Sequence, residues 1–87
     1  IWVFDTTVDT LCHGAALNIP GISKLNDYIF ENDNVALMTL KDELIALGTA
    51  KMSSEDIMGK VKGLAVKTEK VFMEPGTYGK TNKIKNS

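Results

Sequence analysis

The sequence predicts a small, mainly β domain, a barrel-like fold carrying two short α-helices. Short runs rich in branched and aromatic residues recur about every 8–12 residues between clusters of Gly, Pro, Asn and Asp, and two segments carry helix-start signatures. Size points the same way, because 87 residues suffice for one hydrophobic core and not for two. With 44% hydrophobic and 24% charged residues, the chain lies in the globular range and away from the polar profile of disordered chains.

The apolar opening Ile1-Trp2-Val3-Phe4 reads as a strand already inside a fold. Because the first residue is not Met, the chain is expected to be a fragment of a longer polypeptide. Thr6-Thr7-Val8-Asp9 has capping-box spacing, with Val8, Leu11, Cys12 and Ala15 following at helical intervals, so a helix is expected over about 7–13. Gly14 stands where a helix exit calls for a left-handed residue, and Pro20-Gly21 bends the strand that follows. Asn26-Asp27 and Asn32-Asp33-Asn34 are turns. Val35–Lys41 and Glu43–Met52 form a hairpin hinged at Lys41-Asp42, with Gly48 marking a bulge or a close backbone approach. Ser53-Ser54-Glu55-Asp56 opens a second short helix that Gly59 ends. Gly63–Met73 is the last strand, with Leu64, Val66 and Thr68 on one face and Ala65, Lys67 and Glu69 on the other. Pro75-Gly76 stops it, and a polar tail from Gly79 to Ser87 is expected to fray.

Several function classes are disfavoured by what the chain contains. Cys12 is the only cysteine, so no intrachain disulfide can form, and a reducing intracellular setting is the default expectation. The longest apolar runs, Val35–Met38 and Leu44–Leu47, fall far short of the roughly 20 residues of a spanning helix. Cys12 and His13, as neighbours on a helix, point about 100° apart and do not make a nucleophile–base pair. One Cys and one His cannot fill a structural zinc shell, so no metal is expected. Asp42-Glu43 and Glu55-Asp56 have structural roles in a turn and a first helical turn. The glycines match no phosphate-loop spacing, so no cofactor is expected and no catalytic residue is assigned.

Charge and the first helix's exit are what remain. Residues 1–43 hold two lysines against seven acids, whereas residues 44–87 hold eight lysines against four acids. All ten basic residues are lysines, so they would meet phosphates as point charges and could not make bidentate contacts to guanine. They either form a binding face or merely solvate the surface. The exit His13-Gly14-Ala15-Ala16-Leu17 leaves backbone uncovered beside one polar ring, which suits a flat base or is a plain helix cap.

Three stretches together resemble a PUA domain, the RNA-binding module named for pseudouridine synthases and archaeosine transglycosylases. They are the stretch from Leu11 to Ile22, that from Ala46 to Glu55, and that from Lys62 through Val71 to Tyr78, spanning about residues 3–78. Within that family they are most similar to the C-terminal domain of archaeal H/ACA guide-RNA pseudouridine synthases. The resemblance implies a pseudo-barrel over residues 1–78 with residues 79–87 as a tail. It also implies docking of the 3′ ACA trinucleotide and lower stem of a guide RNA, with the catalytic aspartate in a separate, preceding domain. The expected RNA-facing residues are then His13, Gly14, Ala15, Ala16 and Leu17, with the last strand around Lys67 as second wall and Lys51 and Lys70 added on charge. Family members usually have proline where Gly79 stands and a tryptophan in the tail, and this chain has neither. His13 and Met73-Glu74-Pro75-Gly76 look archaeal, which implies a cytoplasmic location, or a nucleolar one were the source eukaryotic. The expected partners are RNA and the parent's catalytic domain, with no membrane, and the domain alone is expected to be monomeric. Two alternatives stand beside this: a translation-initiation-type PUA domain, suggested by Lys51-Met52-Ser53-Ser54-Glu55-Asp56-Ile57, and a protein-interaction module docking through Trp2 and Phe4.

Overall fold

The computed structural model describes residues 1–77. Six strands make one sheet: β1 (Trp2–Val3), β2 (Leu17–Asn18), β3 (Ile22–Lys24), β4 (Asn34–Met38), β5 (Leu44–Ala50) and β6 (Leu64–Val71). Helix α1 (Asp5–Cys12) follows β1, helix α2 (Ser54–Gly59) joins β5 to β6, and a 3-10 turn at Ile19–Gly21 separates β2 from β3. The strands lie in the order β2-β6-β5-β4-β1-β3, antiparallel throughout except for the parallel pair β1 and β4. The two outermost strands, β2 and β3, are chain neighbours joined directly by the turn at Ile19–Gly21. The sheet therefore curls until its edges meet at that turn, which is the mainly β pseudo-barrel the sequence predicts and leaves little free strand edge.

Leu17, Leu37, Ile45, Val3 and Val66 from the strands and Val8 and Leu11 from α1 are fully buried, so α1 plugs the curled sheet. Each such side chain contributes about 1.5–3 kcal/mol of burial. The one fully buried polar residue among those described, Thr39, organises the β4–β5 turn: its hydroxyl accepts from the Lys41 and Glu43 N–H groups, both at 3.1 Å. Asp42 takes a left-handed φ of 64° in that turn, as aspartate tolerates. The hairpin is thus where the sequence places it, with strands trimmed to Asn34–Met38 and Leu44–Ala50.

Three expectations need correction. Helix α1 starts at Asp5, two residues earlier than expected, with Phe4 as N-cap and no side-chain cap. The Phe4 N–H is bonded to the Gly21 carbonyl at 3.0 Å, so the chain leaves β1 there and turns straight into the helix. The second helix does use its signature, since Ser53 accepts from the Asp56 N–H at 3.1 Å. The last strand ends at Val71 and does not alternate simply, because Ala65 and Val66 are both buried. The ladder also shifts between Leu47 and Gly48: Leu47 faces Lys70 while Gly48 faces Thr68, so Glu69 is an extra residue in β6. Gly48 also allows a close approach, because a Cβ there would lie 2.6 Å from the Lys67 carbonyl oxygen. The tail expected over 79–87 and Tyr78 lie outside the described residues.

Candidate nucleic-acid interface

Helix α1 ends in a Schellman motif, in which the Ala15 N–H donates to the Thr10 carbonyl at 3.1 Å and the Gly14 N–H to the Leu11 carbonyl at 2.9 Å. That geometry requires the left-handed φ of 90° at Gly14, where a Cβ would meet nothing within 4 Å. The glycine is needed for its torsion, and the space above it is open. His13, Gly14, Ala15 and Ala16 are all exposed, whereas Leu17 is fully buried and offers only backbone. The loop is clamped to β6 at two points. The Thr68 hydroxyl donates to the Ala15 carbonyl at 2.7 Å, and Leu17 pairs with Val66.

The clamp ties the exit loop to β6 at the residues on either side of Lys67. In a regular strand Lys67 and Lys70, three residues apart, would point to opposite faces. The extra residue at Glu69 resets the alternation, so both lysines stand outside, across from the outward-facing Thr49 and Leu47. Lys70 lies over the Phe72 ring, 5.2 Å from its centroid. Glu69 is exposed between the two lysines and accepts from the Thr49 hydroxyl at 3.3 Å, so one negative charge interrupts the basic edge. Lys51 is exposed on the far side of β6 from the loop, its N–H donating to the Ala65 carbonyl at 2.7 Å. Two strand spacings, roughly 10 Å, separate its backbone from β2.

Two residues that sequence reasoning gives other roles belong here. Strand parity alone places Thr68 and signals nothing of its bond to the loop. Asp9 reads as a first-turn acid, yet its carboxylate accepts from the Gly76 N–H at 2.7 Å and lies 3.7 Å from His13 Nδ1, while its carbonyl is 2.9 Å from the same nitrogen. No local pattern announces a bond between residues 67 positions apart. Cys12 is buried, and burial, then the Asp9 charge, pushes its thiol pKa up, the opposite of an activated nucleophile. Among the described residues, no three metal-ligating side chains come together.

A helix exit clamped flat along a strand that carries lysines on its outer face is now joined by a match over most of the chain: the PUA domain family profile fits residues 1–72. The chain belongs to the PUA-domain family. This PUA domain is 54% identical over 80 residues to a probable tRNA pseudouridine synthase B of Pyrococcus horikoshii, covering 92% of the chain and 24% of that protein. It superposes with a TM-score of 0.89 and 52% identity on a chain in the structure of an H/ACA RNP bound to a substrate RNA containing 2′-deoxyuridine, covering 91% of this chain and 25% of that one. A conserved PUA domain protein from Thermoplasma acidophilum gives a TM-score of 0.78 at 26% identity, covering 80% of this chain and 46% of that one. The PUA domain spans about a quarter of the length of probable tRNA pseudouridine synthases B from three Pyrococcus species that it matches at about half identity. The chain is a PUA domain that corresponds to only a part of these pseudouridine synthases.

Proposed function

We propose that this PUA domain docks the 3′ ACA trinucleotide and lower stem of an H/ACA-type guide RNA for a pseudouridine synthase that modifies rRNA or tRNA in the cytoplasm. The observation that supports this is the clamp from Thr68 to Ala15, which ties the exit loop and its open Gly14 to the strand that carries Lys67 and Lys70. In this reading unstacked bases lie on the backbone of His13, Gly14, Ala15, Ala16 and Leu17 with His13 as a polar edge, while Lys51, Lys67 and Lys70 hold phosphates. The half-identical relatives support a parent enzyme whose catalytic domain and other partners supply the rest, and favour this over an initiation-type PUA domain. Against a purely protein-docking role, Trp2 is engaged within the domain: its indole N–H donates to Asp42 at 2.7 Å and Lys24 lies 4.6 Å from its ring centroid.

The test compares binding of the 87-residue chain to a stem ending in ACA and to the same stem with the trinucleotide scrambled, at two salt concentrations. The ACA stem is expected to bind more tightly, and both affinities to fall with salt. Equal affinities would remove the H/ACA reading, and no binding to either at low salt would favour protein interaction.

A further inference from the structure

We propose that the loop between β3 and β4 is a protein-docking surface, on which Tyr28 and Phe30 hold an extended, arginine-bearing segment of a partner protein. This role is independent of the RNA-docking reading and goes beyond it. Tyr28 is 84% exposed and Phe30 61%, whereas Ile29 between them is buried in the core. Tyr28 also takes a left-handed φ of 62°, a conformation that costs energy for a residue with a bulky side chain. With so little of its ring covered, packing within the domain does not offset that cost. Strain held at an exposed aromatic residue points to a surface kept for a partner.

The backbone that presents the two rings is pinned. The Ser54 N–H donates to the Ile29 carbonyl at 2.9 Å, and the Ile29 N–H donates to the Ser54 hydroxyl at 3.2 Å. The Phe30 N–H donates to the Asp33 carboxylate at 2.9 Å. The Asn32 N–H donates to the Ala50 carbonyl at 2.7 Å and the Ala50 N–H to the Asp33 carbonyl at 2.8 Å. Aromatic side chains on a backbone fixed in advance lose little entropy on binding, as interface anchors require. Charge selects the occupant. Residues 26–34 hold Asp27, Glu31 and Asp33 and no basic residue, and Glu55 and Asp56 are exposed directly after Ser54. Even with Lys51 counted, which follows Ala50, acids outnumber bases five to one. Such a charge repels a phosphate backbone and attracts a cation. A guanidinium answers both features, since its plane stacks on an aromatic face and its N–H fork pairs with carboxylates. The surface is also apart from the exit loop: Asp33 bonds to Ala50, Ala50 pairs with Val66 and Val66 with Leu17, three strand spacings or roughly 14 Å along the sheet.

The test titrates the nitrogen-15-labelled 87-residue chain at low salt with a synthetic peptide alternating arginine and leucine, and with the same peptide carrying glutamate for arginine. The arginine peptide is expected to shift the amide resonances of residues 27–33 and 54–56, and the glutamate peptide to shift none of them. No binding, equal binding of the two peptides, or shifts centred elsewhere would overturn the proposal. Tyr28→Gly and Phe30→Ser are each expected to weaken the arginine peptide about 10-fold or more, the loss of one interface anchor, although every carboxylate remains. Undiminished binding by both variants would mean that charge alone holds the peptide, and would overturn it. Tyr28→Gly should melt no lower than wild type, because glycine takes a positive φ freely. A markedly lower melting temperature would assign the ring to the fold instead. Both variants should bind the ACA stem as wild type does, and a loss there would make the rings a stacking platform for RNA, against the proposal. If wild type binds no RNA at all, the docking reading fails and the peptide titration still decides this one.

Discussion

At Gly14 the backbone turns to a φ of 90°, yet a side chain there would meet nothing, whereas at Gly48 a Cβ would lie 2.6 Å from a backbone oxygen. The two glycines therefore fail differently when replaced. Gly14→Val should cost about 1–2 kcal/mol in torsional strain and also fill the open space over the exit loop, weakening RNA binding. Gly48→Ala should cost about 1–3 kcal/mol through steric overpacking of β5 against β6, because Lys67 backbone cannot swing aside as a side chain could. Urea denaturation measures both. A Gly14→Val chain with wild-type stability and RNA affinity would refute the role given to the exit loop. Gly14 is legible from the helix pattern and from Pro20-Gly21 beyond it. At Gly48 the sequence offers a bulge or a close approach, and the structure has both, since the ladder shifts there as well.

The clearest element-scale effect is in β6, where Glu69 as an extra residue brings Lys67 and Lys70 to one face. Lys67→Ala and Lys70→Ala should weaken binding to all RNAs alike. Removing one lysine–phosphate pair should flatten the log–log salt dependence by about 0.7–0.9. Glu69→Ala should do the reverse, strengthening binding to every RNA by removing the negative charge between the lysines, with little change in stability. A Lys67→Ala effect confined to the ACA stem would argue for a base contact instead. The two helices make a second comparison. Ser53→Ala should destabilise by about 1 kcal/mol because it removes a cap that is used, whereas Thr6→Ala should stay within about 0.5 kcal/mol, its side chain capping nothing. Thermal melts of the two variants check this. Both motifs look equivalent in sequence. Only the bond from Phe4 to Gly21, set by how β1 meets the turn after β2, moves the first helix's start.

At the scale of the whole molecule, the two outermost strands are short, two and three residues, and joined at Ile19–Gly21, which leaves little strand edge to recruit a second copy. The isolated chain should therefore sediment as a monomer and show a circular-dichroism spectrum dominated by β structure. A helix-dominated spectrum, or a dimer at micromolar concentration, would contradict this reading of the curled sheet. The sequence by itself determined the fold class, the turns, the second helix's cap, the left-handed glycine and the family, because each is written in local periodicity or in contiguous motifs. Tertiary structure alone decided the rest: the start of α1, the extra residue that turns both lysines outward, and the clamp from Thr68 to Ala15 across 53 residues. It also decided the use of Asp9 to hold both Gly76 and the His13 ring. Those features depend on which strands lie side by side and in what register. Register is fixed by burying Val66, Leu17 and Ala50 together, a cooperative property of the packed core that no single segment carries.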